Sequence, residues 1–245
     1  MNSCELFIDS PRKGIWNMAF DESLLQRGKP IWRLYQWTEP TVSLGYFQQP
    51  ELNPLQCSAV RRTTGGGAIV HDNELTYSLV FPAESNPYKI GPDLYGIVHE
   101  SIIEALKSRG IHAQCALEDP PMREKDKPYL CFQRRSRYDI VMPDETGKMY
   151  KVVGSAQRRT QAAVLQHGSI LLNRSDIYPQ LRGINDLAKP NSPITQGELI
   201  RLWTPILAKA LDVHFIPVQY EDCADEAAIS KIAAEKYGNP EWRKK

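Results

Sequence analysis

The sequence predicts an α+β fold, a mixed β-sheet flanked by helices. Three observations point there. Short apolar segments alternate with a few stretches of helical spacing as far as Gly110, two hairpins follow one another in the middle, and the last third is mostly helical. At 245 residues and 42% hydrophobic content, the chain can bury a substantial core. No linker, repeat or low-complexity segment divides it, so one domain spanning residues 1–245 is expected.

Taken in order, "ELFID" and "IWRLYQW" read as strands on either side of "GIWNMAFDESLLQRG". That middle stretch places Trp16, Ala19, Phe20, Ser23 and Leu24 at helical spacing, and Gly28 supplies the stop. "TVSLGYF" after Pro40 and "LTYSLVF" before Pro82 are further strands. "PDLYGIVHESIIEALKSRG" is the clearest helix. Pro92 suits its first turn, Leu94, Ile97, Val98, Ile102 and Leu106 form the apolar stripe, and Gly110 ends it. "SRYDIVM" turns through "PDETGK" into "MYKVVGSAQRR", which turns through "TQ" into "AAVLQHGSILL". The helix "TQGELIRLWTPILAKAL", the strand "VHFIPV" and a closing helix "ADEAAISKIAAEKYG" complete the reading.

Composition excludes several classes of function. The formal net charge is +1, and the pairs Arg61–Arg62, Arg134–Arg135 and Arg158–Arg159 are too short to form a nucleic-acid footprint. "MNSCELFIDSPRK" carries acids early and has no apolar core of a secretory signal, and no run approaches a membrane span, so a cytoplasmic protein is expected. Five cysteines, Cys4, Cys57, Cys115, Cys131 and Cys223, are odd in number and widely spaced. That argues against a disulfide framework or a zinc knuckle, and no metal site is expected.

The densest chemistry lies in "RRTTGGGAIVHD", Arg61 to Asp72. Gly65, Gly66 and Gly67 allow close main-chain approach to a ligand, and their N–H groups form an anion-receptive concavity. Neither a Walker A loop nor a dinucleotide fingerprint fits the spacing, and a plain mobile turn has the same composition. Arg61 and Arg62 before the glycines, and His71 after them, favour a binding loop. The arginines either position a phosphate or hold the loop; His71 braces or polarises its far side. A second stretch, "KVVGSAQRRTQAAVLQHGSILL", sets the small residues Gly154, Ser155 and Ala156 in a strand of bulky ones, a sign that a ligand or another backbone lies against it. A turn centred at Thr160–Gln161 puts Gly154 opposite His167. With Gln157 and Gly168 beside them, these residues make a slot with a backbone floor and polar walls.

Together, "RRTTGGGAIVHD" and "KVVGSAQ…LQHGSILL" resemble the lipoate-protein ligase and octanoyltransferase superfamily. "RLYQWTEPTVSLGYFQ" is similar to the strand pair that opens its catalytic domain, and "EKYGNPEW" to its closing helix. The resemblance spans nearly the whole chain. It implies the biotin/lipoate protein ligase catalytic-domain fold, which is class II synthetase-like, with no accessory domain after it. It also implies an acyl slot between the glycine loop and the Lys-Gly-Ser strand. Ligases of the superfamily activate a free carboxylate with ATP; transferases accept an acyl group already held as a thioester and need none.

Cys131, in "LCFQRRSRYDIV", resembles the nucleophile of the cysteine-dependent, ligase-like octanoyltransferases, and Lys151 matches the family lysine. An ammonium beside a thiol favours the reactive thiolate. The implied reaction moves octanoate from octanoyl-acyl carrier protein through a Cys131 thioester to a lysine of a lipoyl domain or glycine-cleavage H protein, without cofactor. Hairpin register alone sets Lys151 opposite about Ile140, so the segment from Leu130 to Ser136 must fold back for Cys131 to reach it. The other readings are an ATP- and magnesium-dependent lipoate ligase, an octanoyl amidotransferase between lipoyl domains, and a non-catalytic acyl-binding module. Main-chain N–H groups near Gly154–Gln157 or the glycine loop are the expected oxyanion donors. Burying the seven tail carbons of an octanoyl group, six methylenes and a methyl, at about 0.8 kcal/mol each contributes on the order of 5–6 kcal/mol toward selecting a medium-length chain.

Overall fold

The computed structural model describes residues 2–49, 55–83, 92–117, 128–189 and 191–244. Its first part contains β1 (Asn2–Ile8), α1 (Gly14–Arg27), β2 (Ile31–Tyr35), β3 (Thr41–Leu44), β4 (Ser58–Arg61), β5 (Ile69–His71) and β6 (Glu74–Pro82). The middle contains α2 (Pro92–Lys107), β7 (Gln114–Cys115), β8 (Ile140–Pro143), β9 (Met149–Arg159) and β10 (Ala163–Leu171). The end contains α3 (Ile184–Ala188), α4 (Gln196–Leu211), β11 (Val213–Pro217), α5 (Tyr220–Cys223), α6 (Glu226–Ile232) and α7 (Pro240–Lys244). Eight strands form one sheet in the order β11-β1-β2-β6-β10-β9-β8-β7, and a small sheet runs β4-β3-β5. The large sheet is mixed: β1 pairs in parallel with β11 and β2, and the other neighbours are antiparallel. Among the described residues no helix is long and apolar enough to cross a membrane.

Strand alternation separates two faces. Leu75, Tyr77, Leu79 and Phe81 of β6 join Trp32, Leu34 and Ile170 in the core beneath α2 and α4. On the other face, Ile31, Val80 and Leu165 pack with Phe20 and Leu24 of α1. Toward Leu171 that face turns polar, with Arg33, Thr76, Ser78, His167 and Ser169 all buried. A polar half-face under a helix is where buried hydrogen-bond networks and a ligand are accommodated. α1 stops as expected at Gly28, which adopts φ 65° and donates to the Leu24 carbonyl at 3.1 Å.

Several expectations shift. "RLYQW" and "TVSL" do not pair: β2 lies in the large sheet and β3 in the small one, beside β4 and β5, whose brevity hid them from strand periodicity. β8 starts only at Ile140, because Ser136 N donates to Asp139 Oδ2 at 2.7 Å and closes a turn where extended chain was expected. The β9–β10 hairpin turns at Gln161–Ala162, with Thr160 N donating to the Ala163 carbonyl at 2.9 Å. That is one residue later than expected, so Gly154 faces Ser169, and Ala156 takes the place opposite His167. A one-residue move of the centre changes partners by two, which keeps Gly154 and His167 on the same face.

β9 also carries a bulge. Ile140 pairs with Val153 but Val141 pairs with Lys151, leaving Val152 as an extra residue. Val152 and Val153 therefore both enter the α2 core. Lys151 swings to the face of Gly154, where strict alternation would oppose it.

Candidate active site

The glycine loop is held by arginine. Arg62, buried at the end of β4, donates to the carbonyls of Ser43 (2.7 Å), Gly65 (2.7 Å) and Gly67 (2.8 Å), and its Nε donates to Thr64 Oγ1 (3.0 Å). Burial pushes this guanidinium down to about 10, still cationic at neutral pH. Arg61 donates to the carbonyls of Gly45 (2.7 Å), Tyr46 (3.0 Å) and Arg243 (2.8 Å). The indole of Trp242 donates back to the Arg61 carbonyl at 2.9 Å. Of the two roles open to these arginines, geometry supports holding the loop; their donors go mostly to main-chain carbonyls, with Thr64 and Ser43 hydroxyls taking the rest. The loop needs its glycines. Gly66 sits at φ 93°, and a Cβ on Gly67 would lie 3.0 Å from Cys131 N. Gly45 lets the loop close, since a Cβ there would lie 1.9 Å from the Gly66 carbonyl oxygen.

The segment bearing Cys131 lies on this loop. Ala68 N donates to the Tyr129 carbonyl (2.9 Å), and Cys131 N donates to the Ala68 carbonyl (2.7 Å). These two bonds fold Leu130 back as a strand-like bridge, and a single 3₁₀ turn follows over Cys131–Gln133. Cys131 Sγ then stands 3.6 Å from Lys151 Nζ. A Cβ placed on Gly66 would lie 3.9 Å from that sulfur, so thiol, ammonium and glycine loop converge.

Lys151 is buried and bound on its other side by Asp139 Oδ2 at 2.7 Å. Burial acts to lower the lysine's pKa, but the attraction of Cys131 and Asp139 outweighs it, and the net shift is upward. Lys151 is therefore an ammonium in the resting site. Gly154 makes this possible: a Cβ there would lie 2.5 Å from Lys151 Cε and 2.9 Å from Nζ. The small residue in β9 makes room for the lysine of its own strand.

Two histidines brace the loop from behind. His167 Nε2 meets Thr64 Oγ1 at 2.7 Å, and its Nδ1 meets Asp21 Oδ2 at 3.2 Å. Asp21 in turn accepts from Arg33 Nη1 at 2.8 Å and Tyr35 OH at 2.9 Å. His71 lies under Trp37, rings 3.8 Å apart, with Nε2 at 2.7 Å from Ser43 Oγ and Nδ1 at 2.7 Å from Glu74 Oε1. Burial lowers the His71 pKa more than Glu74 raises it. The His71–Glu74 contact is thus a hydrogen bond from a neutral imidazole to a carboxylate, although the pair has ion-pair geometry.

The slot reading needs correction in two places, Ser155 and Gln157, while Gly168 does line the crevice. Ser155 points to the opposite face, where its Oγ meets Tyr77 OH at 2.6 Å and His99 Nε2 at 2.5 Å. Gln157 likewise turns away and donates to Gln166 Oε1 at 2.8 Å. Gly168 is small because a Cβ would lie 2.5 Å from Ser155 Oγ and from Tyr77 Cε1. Gly154, Ala156 and His167 do face the loop. A crevice bounded by Met18, Arg62, Ile69, Ala156, His167 and Gly168 among others has a volume of about 20 Å³; Gly154 is not in its lining. That is room for about one water.

Residues the sequence reading missed include Asp139 and His99, with Thr64, Asp21, Arg33 and Glu74 in the network behind the loop. Asp139 lies inside the quoted "RYDIV", but an acid at the head of a strand has no distinguishing pattern. His99 sits in the α2 stripe, where its Nδ1 bonds the Tyr138 carbonyl next to Asp139. A histidine on an otherwise apolar helix face was the available signal.

Comparisons with known proteins give the family. The family described as the lipoyl protein ligase A/B catalytic domain matches residues 13–195. The chain is 33% identical to the octanoyltransferase LipM of Halalkalibacterium halodurans, over 96% of this chain and 97% of that protein. It is 31% identical to the octanoyltransferase LipM of Bacillus subtilis, over 98% and 97% of the two chains. Among solved structures, a putative lipoate protein ligase of T. acidophilum with bound lipoic acid has the same fold, with a TM-score of 0.74 and 20% identity over 99% of this chain and 100% of that one. A lipoate-protein ligase A bound with ATP superposes with a TM-score of 0.70 at 20% identity, over 98% of each chain. By sequence over most of its length and by fold, the chain belongs to the lipoyl protein ligase A/B catalytic domain family.

Proposed function

We propose that this protein is an octanoyl-[acyl-carrier-protein]:protein N-octanoyltransferase of lipoate biosynthesis, working through a thioester on Cys131. The carrying observation is the contact of Cys131 Sγ with Lys151 Nζ at 3.6 Å, beside the arginine-held glycine loop. The names of its full-length relatives support octanoyl transfer as the reaction class.

In the first half-reaction the Cys131 thiolate attacks the carbonyl carbon of the octanoyl thioester. The carbon–sulfur bond to the donor breaks, and the departing thiolate takes the proton of the Lys151 ammonium. This leaves octanoyl-Cys131 and a neutral Lys151. In the second, the ε-amine of an acceptor lysine attacks the new thioester, and Lys151 takes back a proton as the amide forms. Cys131 leaves as thiolate beside the Lys151 ammonium. Asp139 keeps Lys151 oriented throughout, and N–H groups of the glycine loop stabilise the tetrahedral oxyanion. The acceptor is a lipoyl domain or glycine-cleavage H protein, and the acyl group arrives activated, so no ATP is consumed. Seating the tail displaces the pliable Met18 side chain from the crevice.

The test is a mass spectrum of the enzyme after incubation with octanoyl-acyl carrier protein, with and without ATP. Octanoyl-Cys131 should form without ATP and decay on adding a lipoyl domain. Full-rate transfer by Cys131→Ser, or modification of the acceptor only when octanoate and ATP are supplied together, refutes the mechanism.

A further inference from the structure

A second cleft, of about 320 Å³, opens beside Lys151 and Phe132 and runs toward Tyr150 and Arg182. Its charged lining residues are all basic: Arg135, Lys148, Lys151 and Arg182. Tyr150 organises two of them, with Lys148 Nζ 5.2 Å and Arg182 Cζ 5.0 Å from its ring centroid. Arg182 is ion-paired at 3.7 Å with Asp144, which lies outside the lining and is also bonded by Tyr150, so an incoming anion must share or displace that carboxylate. Lys148 stands three residues from Lys151, about 10 Å at the rise of an extended strand. At its inner end the cleft has Lys151, in contact with the Cys131 sulfur; at its outer end it has a cationic pair on an aromatic ring. Those features suit a slender arm with a thioester at one end and an anion at the other.

We infer that this cleft takes the phosphate-ended arm of the acyl donor, a 4′-phosphopantetheine thioester, with Lys148 and Arg182 receiving the phosphate. The inference rests on the transferase reading above and adds how the donor is recognised. A charge-assisted contact to phosphate is worth a preference of about tenfold. The cleft thereby selects a carrier-borne thioester over free octanoate, and it does so without a direct grip on the acyl tail.

The experiment compares octanoyl-4′-phosphopantetheine with octanoyl-pantetheine, which lacks only the phosphate, by the second-order rate of octanoyl-Cys131 formation. The wild-type protein should favour the phosphorylated thioester by about tenfold, and Lys148→Met/Arg182→Met should bring the ratio close to one. Equal rates in the wild type overturn the inference while leaving the transferase reading intact. If neither thioester acylates Cys131, both fall together. If octanoyl-adenylate is consumed faster than either thioester and the double variant abolishes that advantage, the cleft is a nucleotide site and the inference is overturned. The wild-type comparison stands even where the double variant folds poorly.

Discussion

Replacing Gly154 by alanine tests whether Lys151 acts from the position it holds. The added methyl would lie 2.5 Å from Lys151 Cε, against an ordinary contact of 3.4 Å, so the lysine must retreat by about 0.9 Å. Carried through to Nζ, that lengthens the 3.6 Å contact with the Cys131 sulfur to about 4.5 Å. At an effective dielectric of about 20, the attraction between thiolate and ammonium then falls from about 4.6 to about 3.7 kcal/mol. The loss of about 0.9 kcal/mol corresponds to about a fivefold drop in reactivity. The assay is stopped-flow acylation of Cys131 by octanoyl thioester at pH 7, with alkylation by iodoacetamide as a donor-independent measure of thiol reactivity. Both rates should fall together by about fivefold, with thermal unfolding showing that the variant is folded. Unchanged rates in a folded variant would falsify the claim that Gly154 exists to admit the lysine.

Two further perturbations follow from the same network. Asp139→Asn leaves the buried Lys151 ammonium without its carboxylate; breaking such a pair should cost about 3 kcal/mol in urea unfolding and slow acylation by more than tenfold. Wild-type stability in either assay places the lysine's support elsewhere. Burial holds His71 and His99 below their ordinary pKa, so the unfolded chain binds protons that the folded chain refuses. Stability should therefore fall as pH drops through about 6.5, by up to about 1.4 kcal/mol per unit for each histidine. Urea midpoints between pH 7.5 and 5.5 measure it. A slope that His71→Asn/His99→Gln does not flatten excludes these groups as its source.

Periodicity made the outer frame legible. α1, α2 and α4 showed apolar stripes and glycine or capped ends, and β6 and β10 showed apolar runs with turn residues beside them. What periodicity lost were elements too short to repeat, such as β5 over Ile69–His71, and events that break the repeat. The Val152 bulge is one of these. Strict alternation sends Lys151 to the Val153 face, and only the extra residue brings it beside Gly154. Chemistry was legible where residue type was unusual for its place, as with Gly65–Gly67, Gly154 and His167. Asp139 was not, since its importance comes from what the fold sets against it. Small residues in β9 were read as room for a ligand or another backbone, but what fills the space at Gly154 is the side chain of the strand's own lysine.

The tie between Arg61 and the residues around Trp242 has a consequence for how the protein comes into being. The glycine loop follows Arg61 directly, yet two of the bonds that fix it reach forward about 180 positions, to Arg243 and Trp242. A nascent chain on the ribosome can assemble most of the large sheet before those partners emerge. The loop is thus latched only once residues 242 and 243 have been made, and damage to α7 loosens a loop that is distant in the sequence.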